Sequence, residues 1–164
     1  MSIATMTASQ AAAATHGSFT IERHFKAAPE RVFAALSDKD AKARWFRGPA
    51  GWAETERSLD FRVDGIEITA GIFPDGKKTH FRARFEEIVP NRRLVYSYRM
   101  QIGDGWLISV SLATIELSPQ EGGTRMIFTE HATFINGFDD PGAEGRKTGS
   151  IALLEQMAAS LEQE

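Results

Sequence analysis

Six segments of the chain alternate between apolar and polar residues with a period of two, and most are separated by turn residues. FTIERHF (residues 19–25), IEITAGIF (66–73), THFRARFEEIV (79–89), RLVYSYRMQI (93–102), WLISVSLATIEL (106–117) and TRMIFTEHATF (124–134) each place alternate side chains on opposite faces, the signature of a β-strand. LDFRV (59–63) is a shorter seventh candidate. The breaks carry Asp64-Gly65, Pro74-Asp75-Gly76, Pro90-Asn91, Gly103-Asp104-Gly105 and Gly122-Gly123, connections short enough to enforce antiparallel neighbours. In FEEIV the alternation slips, so a bulge or strand end is expected near Ile88.

Helical spacing occurs in three places. AAPERVFAAL sets Pro29 at a helix start and spaces Val32, Phe33 and Leu36 three and four apart. Ser37 and Asp38 then provide a stop and a new cap, and DKDAKARWF repeats Ala41 and Trp45 at helical spacing. After a polar loop containing Pro141, Gly142 and Gly145, a last helix carries Ile151, Leu154, Ala158 and Leu161 on one stripe with Met157 beside them. The pattern predicts an α+β fold: a curved antiparallel sheet wrapped around a long carboxy-terminal helix, with two short helices after the first strand. Residues 1–18, rich in Ala, Ser and Thr, read as a flexible amino-terminal arm, and residues 19–164 as one domain.

The order of elements and the local text resemble the START-like helix-grip superfamily, also called SRPBCC. RVFAALSDKDAKARWFRGP is similar to that family's amino-terminal helix pair, LDFRVDG to its first hairpin, FEEIVPNRRLVYSY to its middle turn, and GGTRMIFTEHATF to its last strand. The resemblance covers residues 19–161 and is nearest the branch named for activators of the heat-shock chaperone ATPase, with polyketide cyclase-like proteins in the same superfamily. It implies a cavity between sheet and terminal helix.

Candidate chemistry centres on Glu130. It shares a strand face with Met126, Phe128, Ala132 and Phe134, so it is an acid on an otherwise apolar surface. Burying an unpaired polar group costs roughly 2–7 kcal/mol, so Glu130 requires an Arg or Tyr partner, a wet mouth, or a ligand for which it is the polar anchor. Without a nearby cation, desolvation favours its neutral form. Tyr96 and Tyr98 share a face and could fill space beneath the helix or touch a ligand. Phe81, Phe128, Phe134 and Met157 complete the expected lining, and Trp45, Phe46 and Trp52 either cap a ligand or seal the core. In the 106–117 strand the small residues Ser109, Ser111 and Ala113 leave room inside. The opposite face, with Ile108, Val110 and Leu112, is apolar enough to suggest a homodimer contact.

Composition narrows the classes. A formal net charge of -3 with interspersed signs argues against a nucleic-acid partner. No window approaches the ~20 apolar residues of a membrane span, so no membrane insertion is expected. The chain has no cysteine, and its four histidines never reach metal-motif spacing, so neither a metal nor a cofactor is implied. With no secretory signal at the amino terminus, a cytoplasmic location is expected.

The leading expectation is binding of a small apolar or amphipathic molecule, with no catalytic residue assigned, because no second positioned group accompanies Glu130. The alternative is a cyclase- or hydrolase-type enzyme in which Glu130 and a cavity tyrosine handle protons. The resemblance adds chaperone ATPase co-regulation, ranked lower because the family's chaperone regulators use an additional domain that a chain of this length lacks.

Overall fold

In the computed structural model, residues 5, 7, 13–135 and 142–163 are described. In chain order the elements are β1 (Thr15–Phe25), α1 (Pro29–Ser37), α2 (Lys39–Ala43), β2 (Ala53–Leu59), β3 (Ile66–Ile72), β4 (Lys78–Val89), β5 (Arg93–Ile102), β6 (Trp106–Gln120), β7 (Gly123–Phe134) and α3 (Ala143–Glu162). The strands form one sheet in the order β1-β7-β6-β5-β4-β3-β2, and every neighbouring pair is antiparallel. The meander from β2 to β7 closes with β1 added beside β7, so the first and last strands are partners. Bulges at Glu54/Glu56, Phe85/Glu87 and Met100/Gln101 interrupt the register, and such bulges bend the strands that carry them. The slip in FEEIV is the second of these.

The concave face holds the core. Phe25, Val32, Leu36, Phe85, Leu94, Ala113, Met126 and Met157 are almost completely buried there. The capping expected at Asp38 is present: its side chain accepts from the Ala41 amide at 2.9 Å. Helix α3 is tied to the rest at several points. Arg31 of α1 donates to the Leu161 carbonyl at 2.8 Å, and Arg23 of β1 pairs with Glu155.

Three expectations need correction. The arm assigned to residues 1–18 lies mostly outside the described residues, but Thr15–Ser18 belong to β1, paired with His131–Phe134. They carry no large apolar group, so apolar alternation does not register them. LDFRV is not a strand: only Leu59 lies in β2, and Asp60–Gly65 turn, with Asp64 at φ 68°. The turn directs Phe61 inward against Phe33 and Phe85, at ring-centroid distances of 5.6 and 4.9 Å. The strand in this region is AETERSL, an edge strand largely exposed along its length, so it shows no apolar alternation.

The third correction concerns α3. It starts at Ala143 and includes Gly145, which the sequence reading assigned to the preceding loop; residues 136–141, among them Pro141 of that loop, lie outside the described residues. Its buried stripe runs through Leu154, Met157 and Leu161, whereas Ile151 is exposed. Moving the helix start towards the amino terminus also brings Arg146 and Ser150 onto the sheet-facing side. On the outer face of the sheet Val110 and Leu112 are 46% and 45% exposed, and Ile108 is half-buried. Among the described residues, no helix is long and apolar enough to cross a membrane.

Gly71 of β3 lies directly against the loop residue Trp52. A Cβ at this position would lie 2.0 Å from the Trp52 ring, which packs flat against the bare backbone and donates from Nε1 to Thr79 Oγ1 at 2.9 Å. Gly71→Ala should therefore displace Trp52 and destabilise the fold by about 1–3 kcal/mol in urea unfolding. An unchanged midpoint would mean that the indole does not occupy this position in solution.

Candidate functional site

Strand β7 carries Glu130 to the centre of the concave face, where it is completely buried. Its rung across the sheet runs Phe19, Glu130, Ala113, Tyr96 and Phe85, and the next runs Ala132, Ser111, Tyr98, Ala83 and Glu67. Two hydroxyls from the second rung reach back to the acid. Tyr98 Oη and Ser111 Oγ both donate to Glu130 Oε2 at 2.8 Å.

A cation that the sequence reading missed completes the cluster. Arg146, in the first turn of α3, points its guanidinium into the sheet. Its Nη1 donates to Tyr98 Oη at 2.7 Å and lies 3.4 Å from Glu130 Oε2, while Nη2 donates to Ser109 Oγ at 2.7 Å. The plane also sits over the rings of Tyr98 and Phe134, 5.6 and 5.2 Å from their centroids. A chain of hydrogen bonds thus runs from guanidinium to phenol to carboxylate, with Tyr98 accepting from one and donating to the other. The space left by Ser109 and Ser111, read from sequence as ligand room, is partly filled by Arg146. Its helical spacing to Ser150, Leu154, Met157 and Leu161 is the sequence signal that would have found it.

A second buried pair lies on the opposite flank. Lys42 of α2 donates from Nζ to Glu67 Oε1 at 2.7 Å, and both side chains are nearly inaccessible. Lys42 also lies 4.6 Å from the Phe46 ring centroid. Glu67 reaches the inside because β3 turns Glu67, Thr69 and Gly71 inward, in register with Ala83, Phe81 and Thr79, and leaves its isoleucines on the outer face.

Between the pairs lies a cavity of about 430 Å³. The sheet supplies Tyr96, Tyr98 and Met100 of β5, Phe81 of β4, Ile115 of β6, and Phe128 and Glu130 of β7. Trp45, Phe46 and Trp52 border it from the loops, and Gly149, Ser150, Leu153 and Gln156 from α3. Of the residues expected to line it, Phe134 and Met157 do not. Phe134 lies beneath Arg146, and Met157 is enclosed in the core. Lys42 and Arg146 line it without having been anticipated. Among the described residues no cluster of His, Asp or Glu is suited to a metal ion.

Burial raises the pKa of both tyrosines. Desolvation is the main cause for each; for Tyr98, Arg146 opposes the rise and Glu130 adds to it. Each phenol therefore keeps its proton well beyond the ordinary value of 10.0, as Tyr98 must to donate to Glu130. The folded state holds protons that the unfolded chain releases, so this stabilisation is complete below pH 10.0 and is lost as pH climbs toward the raised values. The chain contains only these two tyrosines. In an ultraviolet titration phenolate absorbance should appear only together with unfolding; a tyrosine ionising near its ordinary value in the folded protein would contradict the buried phenol.

The family model described as Activator of Hsp90 ATPase homolog 1-like protein matches residues 26–162. Among solved structures, a protein from Rhizobium leguminosarum is 39% identical, with 93% of this chain and 98% of that one covered and a TM-score of 0.85. A protein from Rhizobium loti is 42% identical over 91% of this chain and 99% of its own, with a TM-score of 0.81. The AHSA1 protein from Silicibacter pomeroyi, 22% identical, covers 90% of this chain and 99% of its own with a TM-score of 0.70, and shares the fold. No curated protein matches the chain. With the family model spanning nearly the whole folded region, the chain belongs to the Activator of Hsp90 ATPase homolog 1-like family.

Proposed function

We propose that the protein binds a small apolar or amphipathic molecule in the cavity between its sheet and α3. The observation that carries this reading is the cavity itself. Its volume of about 430 Å³ falls within the roughly 300–1,000 Å³ typical of small-molecule sites, and its walls are mainly aromatic and aliphatic with a few convergent polar groups. Binding is favoured over turnover by the state of those groups. Tyr98 is a reluctant proton donor, and Glu130 Oε2 is already committed to Tyr98, Ser111 and Arg146.

Gly149 offers a direct test. It lies on the exposed side of α3 at the cavity mouth, and a Cβ added there meets no atom within 4 Å. Gly149→Leu should leave the fold intact, since replacing a mid-helix glycine gains about 1 kcal/mol of helical propensity. The larger side chain should weaken binding of N-phenylnaphthylamine, an uncharged fluorescent apolar probe, by roughly tenfold through steric occlusion. Undiminished probe binding by the folded variant would move the site elsewhere. Native mass spectrometry of protein purified from its own host would weigh a retained ligand, and conversion of that compound to product would favour the enzymatic alternative.

A further inference from the structure

We infer that the cavity selects an uncharged molecule presenting a hydroxyl or N–H donor to Oε1 of Glu130; this rests on the cavity being a binding site. The two oxygens of this carboxylate have unequal surroundings. Oε2 accepts from Tyr98 and Ser111 and faces Arg146, whereas Oε1 is buried and has no hydrogen-bond partner among the described residues. Buried polar atoms are nearly always satisfied, and a carboxylate oxygen can accept but not donate. Glu130 lines the cavity, so the cavity is where its missing donor would come from.

Charge accounting points to a neutral occupant. Arg146 offsets Glu130, and Glu67 offsets Lys42, so the buried charges balance, while the remaining cation of the lining, Arg47, is exposed. An anionic ligand reaching Oε1 would add charge that the buried pairs do not compensate and approach an atom that is itself an acceptor. A neutral donor completes Oε1 without either penalty. Thr69 Oγ1 is also buried without a partner and lines the same cavity. It sits on β3, four strand spacings of about 4.8 Å from β7, so an elongated ligand can present a second polar group there.

Calorimetric titration of the full chain with naphthol, methoxynaphthalene, acetylnaphthalene and naphthoate, all substituted at the same ring position, tests this. Naphthol should bind roughly tenfold more tightly than methoxynaphthalene, with naphthoate the weakest. In Glu130→Gln the amide oxygen must remain where Tyr98, Ser111 and Arg146 donate, which turns its NH₂ toward the position of Oε1. The variant should therefore reverse the preference, favouring acetylnaphthalene, an acceptor, over naphthol. Equal binding of naphthol and methoxynaphthalene by the unaltered chain, or a preference for naphthoate, overturns the inference and leaves the cavity reading standing. Failure of all four to bind removes that reading and the inference with it. Should Glu130→Gln not fold, the comparison among probes on the unaltered chain still decides.

Discussion

A carboxylate withdrawn from water must be met by compensating charge and hydrogen bonds, and Glu130 imposes that requirement on the whole molecule. Its strand register sets it against Ser111 and Tyr98, whose hydroxyls satisfy one oxygen. The cation has to come from outside the sheet, and α3 supplies it. Removing one partner of a buried pair typically costs about 3–5 kcal/mol, because the other is left uncompensated. The register of α3 along the sheet is therefore constrained by a polar contact near its amino end as well as by Leu154, Met157 and Leu161 in the core. Apolar packing alone tolerates sliding; a guanidinium shared among Tyr98, Glu130 and Ser109 does not.

The two buried ion pairs divide the labour of shaping the interior. Lys42–Glu67 pins the short second helix to β3, and Arg146–Glu130 pins the long helix to β7. Between them runs a line of rings. Phe46 meets Phe81 edge-on with centroids 4.9 Å apart, Phe81 tilts against Tyr98 at 4.9 Å, and Tyr98 lies 5.9 Å from Tyr96. Such rings hold one another in place through their quadrupoles as well as their area, so they form a stiff apolar wall. The cavity is the space that neither the helices nor this wall fills.

Much of this architecture was legible in the sequence, and the failures have physical causes. Period-two alternation found every strand with one buried face. It missed β2, whose edge position leaves both faces polar, and was misled by Phe61, which reaches the core from a turn. The face of β7 correctly brought Glu130 inside with Met126 and Phe128. Arg146 escaped because Gly145 and Pro141 read as loop chemistry, so the helix that carries it began too late. Glu67 escaped because β3 runs against the usual rule, with its isoleucines outward. In both cases the missing residue is one member of a buried ion pair, which hydrophobic patterning does not register.

The composition of α3 bears on how the interior exchanges with solvent. Gly145 and Gly149 occupy its first two turns, each about 1 kcal/mol less favourable to helix than alanine. That half of the helix also contributes Arg146, Gly149 and Ser150 to the cavity wall, whereas the apolar anchors Leu154, Met157 and Leu161 lie farther along. The part of the wall nearest the mouth is thus the part with the least intrinsic helical stability, held largely by tertiary contacts. The contacts of Arg146 with Tyr98, Glu130 and Ser109 are the support that local opening there must break. Fraying of two helical turns would expose the interior while the sheet and the distal anchors stayed folded, so access and global stability are governed by different stretches of one helix.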